Sequence, residues 1–273
     1  MNEYNKKIST LEDLIDDYTN KDVVIAFSGG VDSSLLLELL CQYADKKNTK
    51  VYAVTVHTEL HPMSDIDIAK KVAENTGAIH SIINIDELKD AGISNNPIDR
   101  CYLCKKYLFS QLKKFADNLH IDTIIDGTNE DDLHVYRPGI KALKELGIKS
   151  PLAASRLTKS EIRKKSAELG ISVANRPSTP CLATRFPYDT PLSYDAMVRV
   201  ENGEKFIRDL GAYNVRIRIH EDIARIEVDE NDIDIILKNK KEIIDHLKSL
   251  GYIYITLDLE GFRSGSMDYK IKK

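Results

Sequence analysis

Val23-Val24-Ile25-Ala26-Phe27 runs without a break into Ser28-Gly29-Gly30-Val31-Asp32-Ser33-Ser34 and then into an apolar stretch that begins at Leu35. Five consecutive apolar residues predict a buried strand, and the stretch beyond the loop predicts a helix. The turn between them suits an anion. Two glycines let the backbone approach an oxyanion closely, while free N–H groups and the positive end of the helix dipole favour negative charge. Ser28, Ser33 and Ser34 add hydroxyl donors. Asp32 is out of place beside a polyphosphate unless a divalent cation bridges them, which assigns it to Mg²⁺. The run is not a Walker A loop, for it lacks Gly-Lys-Ser/Thr, and it does not read G-x-G-x-x-G. The plain alternative is an ordinary strand-to-helix turn with capping serines.

Outward from that loop, residues 21 to about 174 alternate apolar β-type runs with helical patterns, the signature of an α/β domain with a mostly parallel sheet flanked by helices. Strands are predicted at 23–27, 51–56, 78–83 and 123–126, and helices at 33–45, 65–76, 102–118 and 158–169. Residues 94–100 and 175–191 read as loops; the second holds Pro177, Pro180, Pro187 and Pro191 and suits an interdomain linker. Beyond Pro191 the pattern changes to a smaller α+β unit: helix 194–210, strands 215–220 and 223–228, helix 231–250 and strand 252–258. The domains expected are therefore 1–180 and 191–273, with a linker at about 175–190 that carries Cys181.

The 273 residues include 39 basic and 43 acidic ones, for a net charge of −4. That balance carries no global footprint for nucleic acid and favours a small-molecule substrate. No run approaches the roughly 18 apolar residues of a membrane span, and the polar N-terminus lacks a signal core. The expectation is a cytoplasmic homo-oligomer with no membrane and no nucleic-acid partner.

Four cysteines are far too few for a secreted disulfide scaffold. Cys101 and Cys104 open a predicted helix, where the dipole and the neighbouring Arg100, Lys105 and Lys106 favour thiolate. Cys181 stands alone in the proline-rich loop. Three thiolates can hold a 4Fe-4S cluster and leave one iron open. The same residues equally suit zinc with His57, His61 or His134, or a redox pair formed by Cys101 and Cys104. Cys41, in an apolar helix, reads as a packing residue. In strand 215–220, Arg216 and Arg218 share one face with His220, and Arg263 sits in a small hydroxyl-rich turn with Ser264, Gly265 and Ser266. Each suits a phosphate, although Arg216 and Arg218 fit a solvated strand face about as well.

Two resemblances sharpen these readings. The loop Ser28 to Ser34 is similar to the PP-loop of ATP pyrophosphatases, which cleave ATP to AMP and pyrophosphate while adenylating a substrate, and so is Gly127-Thr128-Asn129-Glu130-Asp131-Asp132. That resemblance implies an adenine nucleotide alpha-hydrolase-like fold, with Ser28, Gly29, Gly30, Val31, Asp32 and Ser33 at the pyrophosphate, Gly127 near it, and adenine close to Val54. Nearly the whole chain resembles the LarE family, through Arg137-Pro138-Gly139, Ser150-Pro151-Leu152, Pro180-Cys181-Leu182-Ala183-Thr184-Arg185, Arg216-Ile217-Arg218-Ile219-His220, Ala224-Arg225-Ile226-Glu227-Val228 and 257–267.

The LarE resemblance implies an ATP-dependent sulfur transferase of nickel-pincer nucleotide biosynthesis. It would convert the carboxylates of pyridinium-3,5-biscarboxylic acid mononucleotide to thiocarboxylates, using ATP, Mg²⁺ and a sulfide source. One branch of that family sacrifices a single cysteine, at the position of Cys181; another carries a 4Fe-4S cluster. With Cys101, Cys104 and Cys181 this sequence resembles the cluster branch. Arg185, Arg216, Arg218 and Arg263 are then the expected substrate contacts. A transfer RNA thiolase and a metal- or redox-sensing protein are the competing readings; the first is disfavoured by charge, and the second has no need of Gly29, Gly30 and Asp32 in that order.

Overall fold

The computed structural model describes residues 2–58, 60, 63–135, 137–174, 180–263 and 265–268. They divide into two compact units: one takes in residues up to 58, 63–92 and 99–174, and the other takes in Leu60, 93–98 and the chain from 180 onward. Residues 175–179 of the expected linker, His61 and Ser264 lie outside the described residues.

In the first unit the strands β1 (Val23–Ala26), β2 (Val51–His57), β3 (Ile79–Asn84) and β4 (Ile124–Ile125) form a parallel sheet in the order β3-β2-β1-β4. The period of two in β1 explains why it is apolar throughout. Val23 and Ile25 enter one core with Leu11 and Ile15 of helix Glu3–Tyr18 and Leu36 of helix Val31–Lys47. Val24 enters the other core, with Phe109, Leu112 and Ala116 of helix Arg100–Asn118. Both faces of the sheet are thus covered by helices, as a parallel sheet requires. The chain leaves β1 toward β2 on one side and returns to β4 on the other. The crevice at the carboxyl ends of β1 and β4 is where such sheets bind ligands.

Short helices at Glu87–Asp90, Glu130–Leu133, Gly139–Glu145 and Pro151–Ala154 were not read in the sequence, and three further differences have a local cause. Helix Glu3–Tyr18 was hidden by its polar composition: only Ile8, Leu11 and Ile15 are buried, and Asn2 caps the helix by accepting from Asn5 N–H at 2.8 Å. Strand β4 is shorter than 123–126: at its end the chain pairs with Lys149 through an isolated parallel bridge at Ile125, where Asp126 N–H donates to Lys149 O and Lys149 N–H donates to Ile124 O, each at 2.9 Å. Helix 231–250 is broken into Ile233–Lys238 and Lys240–Ser249. The break falls at Asn239, whose side-chain amide donates to Ile235 O at 2.9 Å and so competes with the helical ladder.

The second unit holds β5 (Val215–His220) antiparallel to β6 (Ile223–Val228), with β7 (Tyr254–Leu257) parallel to β6. Helix Tyr194–Asp209 packs on β5 and on helix Lys240–Ser249, burying Met197, Val200, Ile207, Ile217, Ile243 and Leu247.

Helix Val31–Lys47 fixes the loop that precedes it, and it is buried on nearly every side through Leu35, Leu36, Leu37, Leu39 and Leu40. Cys41 is half-buried and packs against that core, and burial pushes its thiol up to about 11. Leu36→Ala should therefore cost about 2–5 kcal/mol of unfolding free energy, and Cys41→Ala no more than about 1 kcal/mol. Urea denaturation of the two variants checks the contrast.

Candidate active site

The phosphate loop closes on itself through its serines. Ser33 Oγ donates to Gly30 O at 3.1 Å and lies 3.2 Å from Ser28 Oγ, and Ser28 Oγ accepts from Gly30 N–H at 3.4 Å. Gly30 is the N-cap of helix Val31–Lys47 and has no side chain to cap it, so the first-turn N–H groups are left to a ligand. Gly29 has φ +67, and a Cβ there would lie 3.0 Å from the backbone N and Cα of Ala69. The loop is also braced from behind. Thr55 Oγ donates its one proton to Phe27 O at 2.8 Å, so the imidazole Nε2 of His80, 2.8 Å from that hydroxyl, is a donor. Burial, with Lys70 adding, holds His80 below its ordinary value.

Asp32 sits in the first turn of the helix with its carboxylate partly open to water. Oδ1 accepts from the Asn129 amide at 3.2 Å, and Oδ2 pairs with the Lys159 ammonium. Gly127 follows β4 so closely that a Cβ would stand 3.2 Å from Asp32 Cβ and 3.3 Å from Ser33 N. The carboxyl ends of β1 and β4 therefore meet at Asp32. A one-carboxylate site next to backbone donors fits Mg²⁺, which takes one or two carboxylates and fills its shell with water and phosphate oxygens. Val54 is a core residue of β2 whose carbonyl accepts from Phe27 N–H at 2.9 Å. Lys159 was missed in the sequence, and Asn129 was read only as part of the Gly127–Asp132 motif. Each opens a short helical segment through a capping box, Thr158 with Glu161 and Asn129 with Asp132; the box is legible locally, but its proximity to Asp32 is not.

Cys101 is exposed, and Cys104, one turn further along helix Arg100–Asn118, is half-buried. Cys104 Sγ donates to Glu87 Oε1, and Glu87 is fully buried with Oε2 unpartnered. The cations expected to favour thiolate are mostly turned elsewhere. Arg100 reaches Cys101 Sγ at 3.9 Å, but Lys105 lies 4.0 Å from Asp126 and Lys106 pairs with Glu145 at 3.1 Å. Cys181 belongs to the second unit, where its carbonyl accepts from Thr184 Oγ at 2.8 Å. Among the described residues no group of three or more His, Cys, Asp and Glu side chains is placed to hold a metal ion. His134, a zinc alternative, is engaged with Glu130 at 2.8 Å.

Arg185, Arg216 and Arg218 are buried, so Arg216 and Arg218 do not form a water-facing strand face. Arg185 is committed inward: Nε and Nη2 fork onto Glu204 at 2.8 and 2.9 Å, and Nη1 donates to Pro180 O at 2.9 Å and Thr184 Oγ at 3.0 Å. It holds the Cys181 turn rather than presenting a fork to a substrate. Arg218 donates through Nε to Glu227 at 3.0 Å and through Nη1 to Thr184 O at 3.0 Å. Arg216 donates to Val215 O at 2.7 Å and lies 5.2 Å over the Phe262 ring. Burial, reinforced by Arg185 and Arg218, pulls its guanidinium down to about 10, still charged at neutral pH. Arg263 pairs with Asp258 at 3.0 Å and with Glu260. For Glu204, burial alone would raise the carboxyl, but Arg185, Arg216 and the Ile217 N–H overcome it and hold it below its ordinary range.

Residues 3–134 match the PP-loop domain family. The chain is 39% identical over 251 residues to the pyridinium-3,5-bisthiocarboxylic acid mononucleotide synthase of Lactiplantibacillus plantarum, covering 92% of this chain and 90% of that protein. The chain belongs to the LarE family of ATP-using sulfur transferases. It is also 35% identical over 268 residues to an uncharacterized protein of Synechocystis, covering 97% of this chain and 99% of that one. A tRNA-specific 2-thiouridylase of Rickettsia bellii is 28% identical over 199 residues, which span 58% of this chain and 52% of that protein. No described helix is long and apolar enough to cross a membrane.

For this LarE-family chain, two substitutions separate the site from its frame. Gly29→Ala should abolish ATP binding, since the side chain meets backbone and the left-handed conformation disfavours it; isothermal titration with ATP reads this directly. Glu204→Ala leaves the buried Arg185 uncompensated and should cost about 3–5 kcal/mol, read by denaturant unfolding.

Proposed function

We propose that the protein adenylates the carboxylates of pyridinium-3,5-biscarboxylic acid mononucleotide and exchanges a carboxylate oxygen for sulfur. The observation that carries this reading is the meeting of Asp32, Gly127 and Lys159 at an uncapped helix start, in a chain similar over nearly its full length to a synthase of the corresponding bisthiocarboxylic acid mononucleotide. A transfer RNA thiolase is less well supported, because that similarity covers little more than half of the chain.

A carboxylate cannot expel oxide, so direct attack by sulfide fails. Attack of the substrate carboxylate on the α-phosphorus of ATP breaks the α–β bridge, releases pyrophosphate and leaves an acyl-adenylate. Hydrosulfide then adds to the acyl carbon and loses its proton, and AMP departs with the former carboxylate oxygen. The loop N–H groups and Ser28 and Ser33 hold the pyrophosphate in place, and Lys159 offsets its charge. Mg²⁺, held by Asp32, supplies further charge screening when bound. Arg216 and Arg218 hold the substrate phosphate through charge-assisted hydrogen bonds. Cys101, Cys104 and Cys181 are proposed as the ligands of a 4Fe-4S cluster, which supplies a terminal sulfide when bound. The sacrificial alternative takes the sulfur from Cys181 itself.

Asp32→Ala should stop substrate-dependent release of AMP and pyrophosphate while the unfolding temperature stays within a few degrees of the parent, because this partly exposed carboxylate makes no apolar packing contact of the core. Continued AMP release would reject the assignment. The sulfur route is read separately, on anaerobically purified protein. A cluster enzyme should contain iron and acid-labile sulfide, turn over repeatedly with added sulfide and keep the mass of Cys181. A sacrificial enzyme should stop after one sulfur and lose about 34 Da at that residue.

A further inference from the structure

The chain after β7 runs along the second unit and reaches the two arginines proposed for the substrate phosphate, Arg216 directly and Arg218 through Glu227. Phe262 N–H donates to Val228 O at 2.8 Å, which continues the pairing of β6 beyond its end and fixes the ring against Arg216. Four residues further on, Ser266 Oγ donates to Glu227 Oε1 at 2.7 Å. Glu227 is fully buried, and its other oxygen accepts from Arg218 Nε and Nη2 at 3.0 Å each. The end of the segment is anchored too. Met267 Sδ lies 3.9 Å from Arg225 Nη2, and Asp268 accepts from Tyr188 OH at 2.9 Å.

A ring face and a carboxylate hold a guanidinium in different ways. Glu204 takes three of the donor contacts of Arg185 and Arg208 and cancels charge, whereas an aromatic face attracts the guanidinium through its quadrupole, takes none of its N–H groups and leaves its charge whole. Ser266 likewise donates to Glu227 without adding a second negative group. It fixes the carboxylate on which Arg218 rests. The ring therefore orients Arg216 without taking its N–H groups, whereas Ser266 fixes the carboxylate that already takes Nε and Nη2 of Arg218.

We propose that Phe262 and Ser266 are positioning residues for the substrate phosphate: Phe262 sets Arg216 directly, and Ser266 sets Arg218 through Glu227. This inference rests on the reading of Arg216 and Arg218 as phosphate ligands, and the experiment separates the two. Pyridinium-3,5-biscarboxylic acid mononucleotide is titrated into the purified full chain without ATP, using the parent, Phe262→Leu, Phe262→Tyr, Ser266→Ala and Arg216→Ala. Phe262→Leu should weaken binding roughly fivefold, the scale of one cation–π contact, and Phe262→Tyr, which keeps the ring face, should restore it. Ser266→Ala, which removes only a hydroxyl and should fold as the parent does, should weaken binding about two- to threefold. In turnover, KM for the mononucleotide should rise in Phe262→Leu and Ser266→Ala while KM for ATP holds, a split that general destabilisation would not produce. Parent-like affinity in Phe262→Leu and Ser266→Ala, with Arg216→Ala weakened, overturns the positioning role and leaves the phosphate reading in place. Parent-like affinity in Arg216→Ala as well overturns both.

Discussion

A carboxylate removed from water must be matched by positive charge and hydrogen bonds, and Glu204 and Glu227 impose that condition on the whole C-terminal unit. Glu204 is approached by Arg185, Arg208 and the Ile217 N–H. Glu227 is approached by Arg218, Arg225 and Ser266. Through these two groups the Cys181 turn, helix Tyr194–Asp209, β5, β6 and the final segment are joined into one polar network. The backbone register reinforces it, because Arg216 stands opposite Glu227 and Arg218 opposite Arg225 across the β5–β6 pair. An apolar core alone would hold the helix on the sheet. It would not specify where the cations point.

The N-terminal unit uses charge differently. Asp32 is partly exposed and its counter-ion, Lys159, stands on a separate segment at the start of helix Lys159–Glu168. An ammonium on a flexible stem is a compact charge that can move from a carboxylate to a phosphate at small cost. The buried arginine pairs cannot do this without stranding a carboxylate. On the proposed reading, an ATP phosphate and a divalent cation at Asp32 would call for rearrangement of the one ion pair between Asp32 and Lys159.

What the sequence made legible follows from the range of the interactions involved. The β1–loop–helix unit is local: apolar strand, two glycines and an apolar helix are contiguous, so the pattern contains the geometry. The hairpin Val215–His220 and Ile223–Val228 is equally local and matches the predicted strand bounds residue for residue. Helix Glu3–Tyr18 was obscured because a stripe of three buried residues in sixteen leaves the composition polar. The burial of Arg216 and Arg218 could not be read, since alternating Arg and Ile describe a solvated face unless Glu204 and Glu227, on other segments, are known to meet them. Arg185 shows the same limit in reverse. Its place beside Cys181 suggested a substrate contact, while its fork is occupied by a glutamate nineteen positions away.

The division between the two kinds of charge also bears on the chemistry proposed. In the proposed substrate the phosphate is remote from the carboxylates that react, so binding energy gained at Arg216 and Arg218 would be available to hold the reacting carboxylate in place without stabilising any bond that breaks. That use demands a rigid anchor, because slack of about 1 Å at the phosphate becomes misplacement at the carboxylate. The buried arginines of the proposed phosphate site are braced by a carboxylate, a backbone carbonyl and a ring face, as such an anchor would require. The pyrophosphate end has the opposite requirement, since its negative charge grows as the α–β bond breaks and the product must then leave. Backbone N–H groups, hydroxyls and an ammonium on a flexible stem suit that developing charge, and this is the role proposed for Ser28 to Ser33 and Lys159.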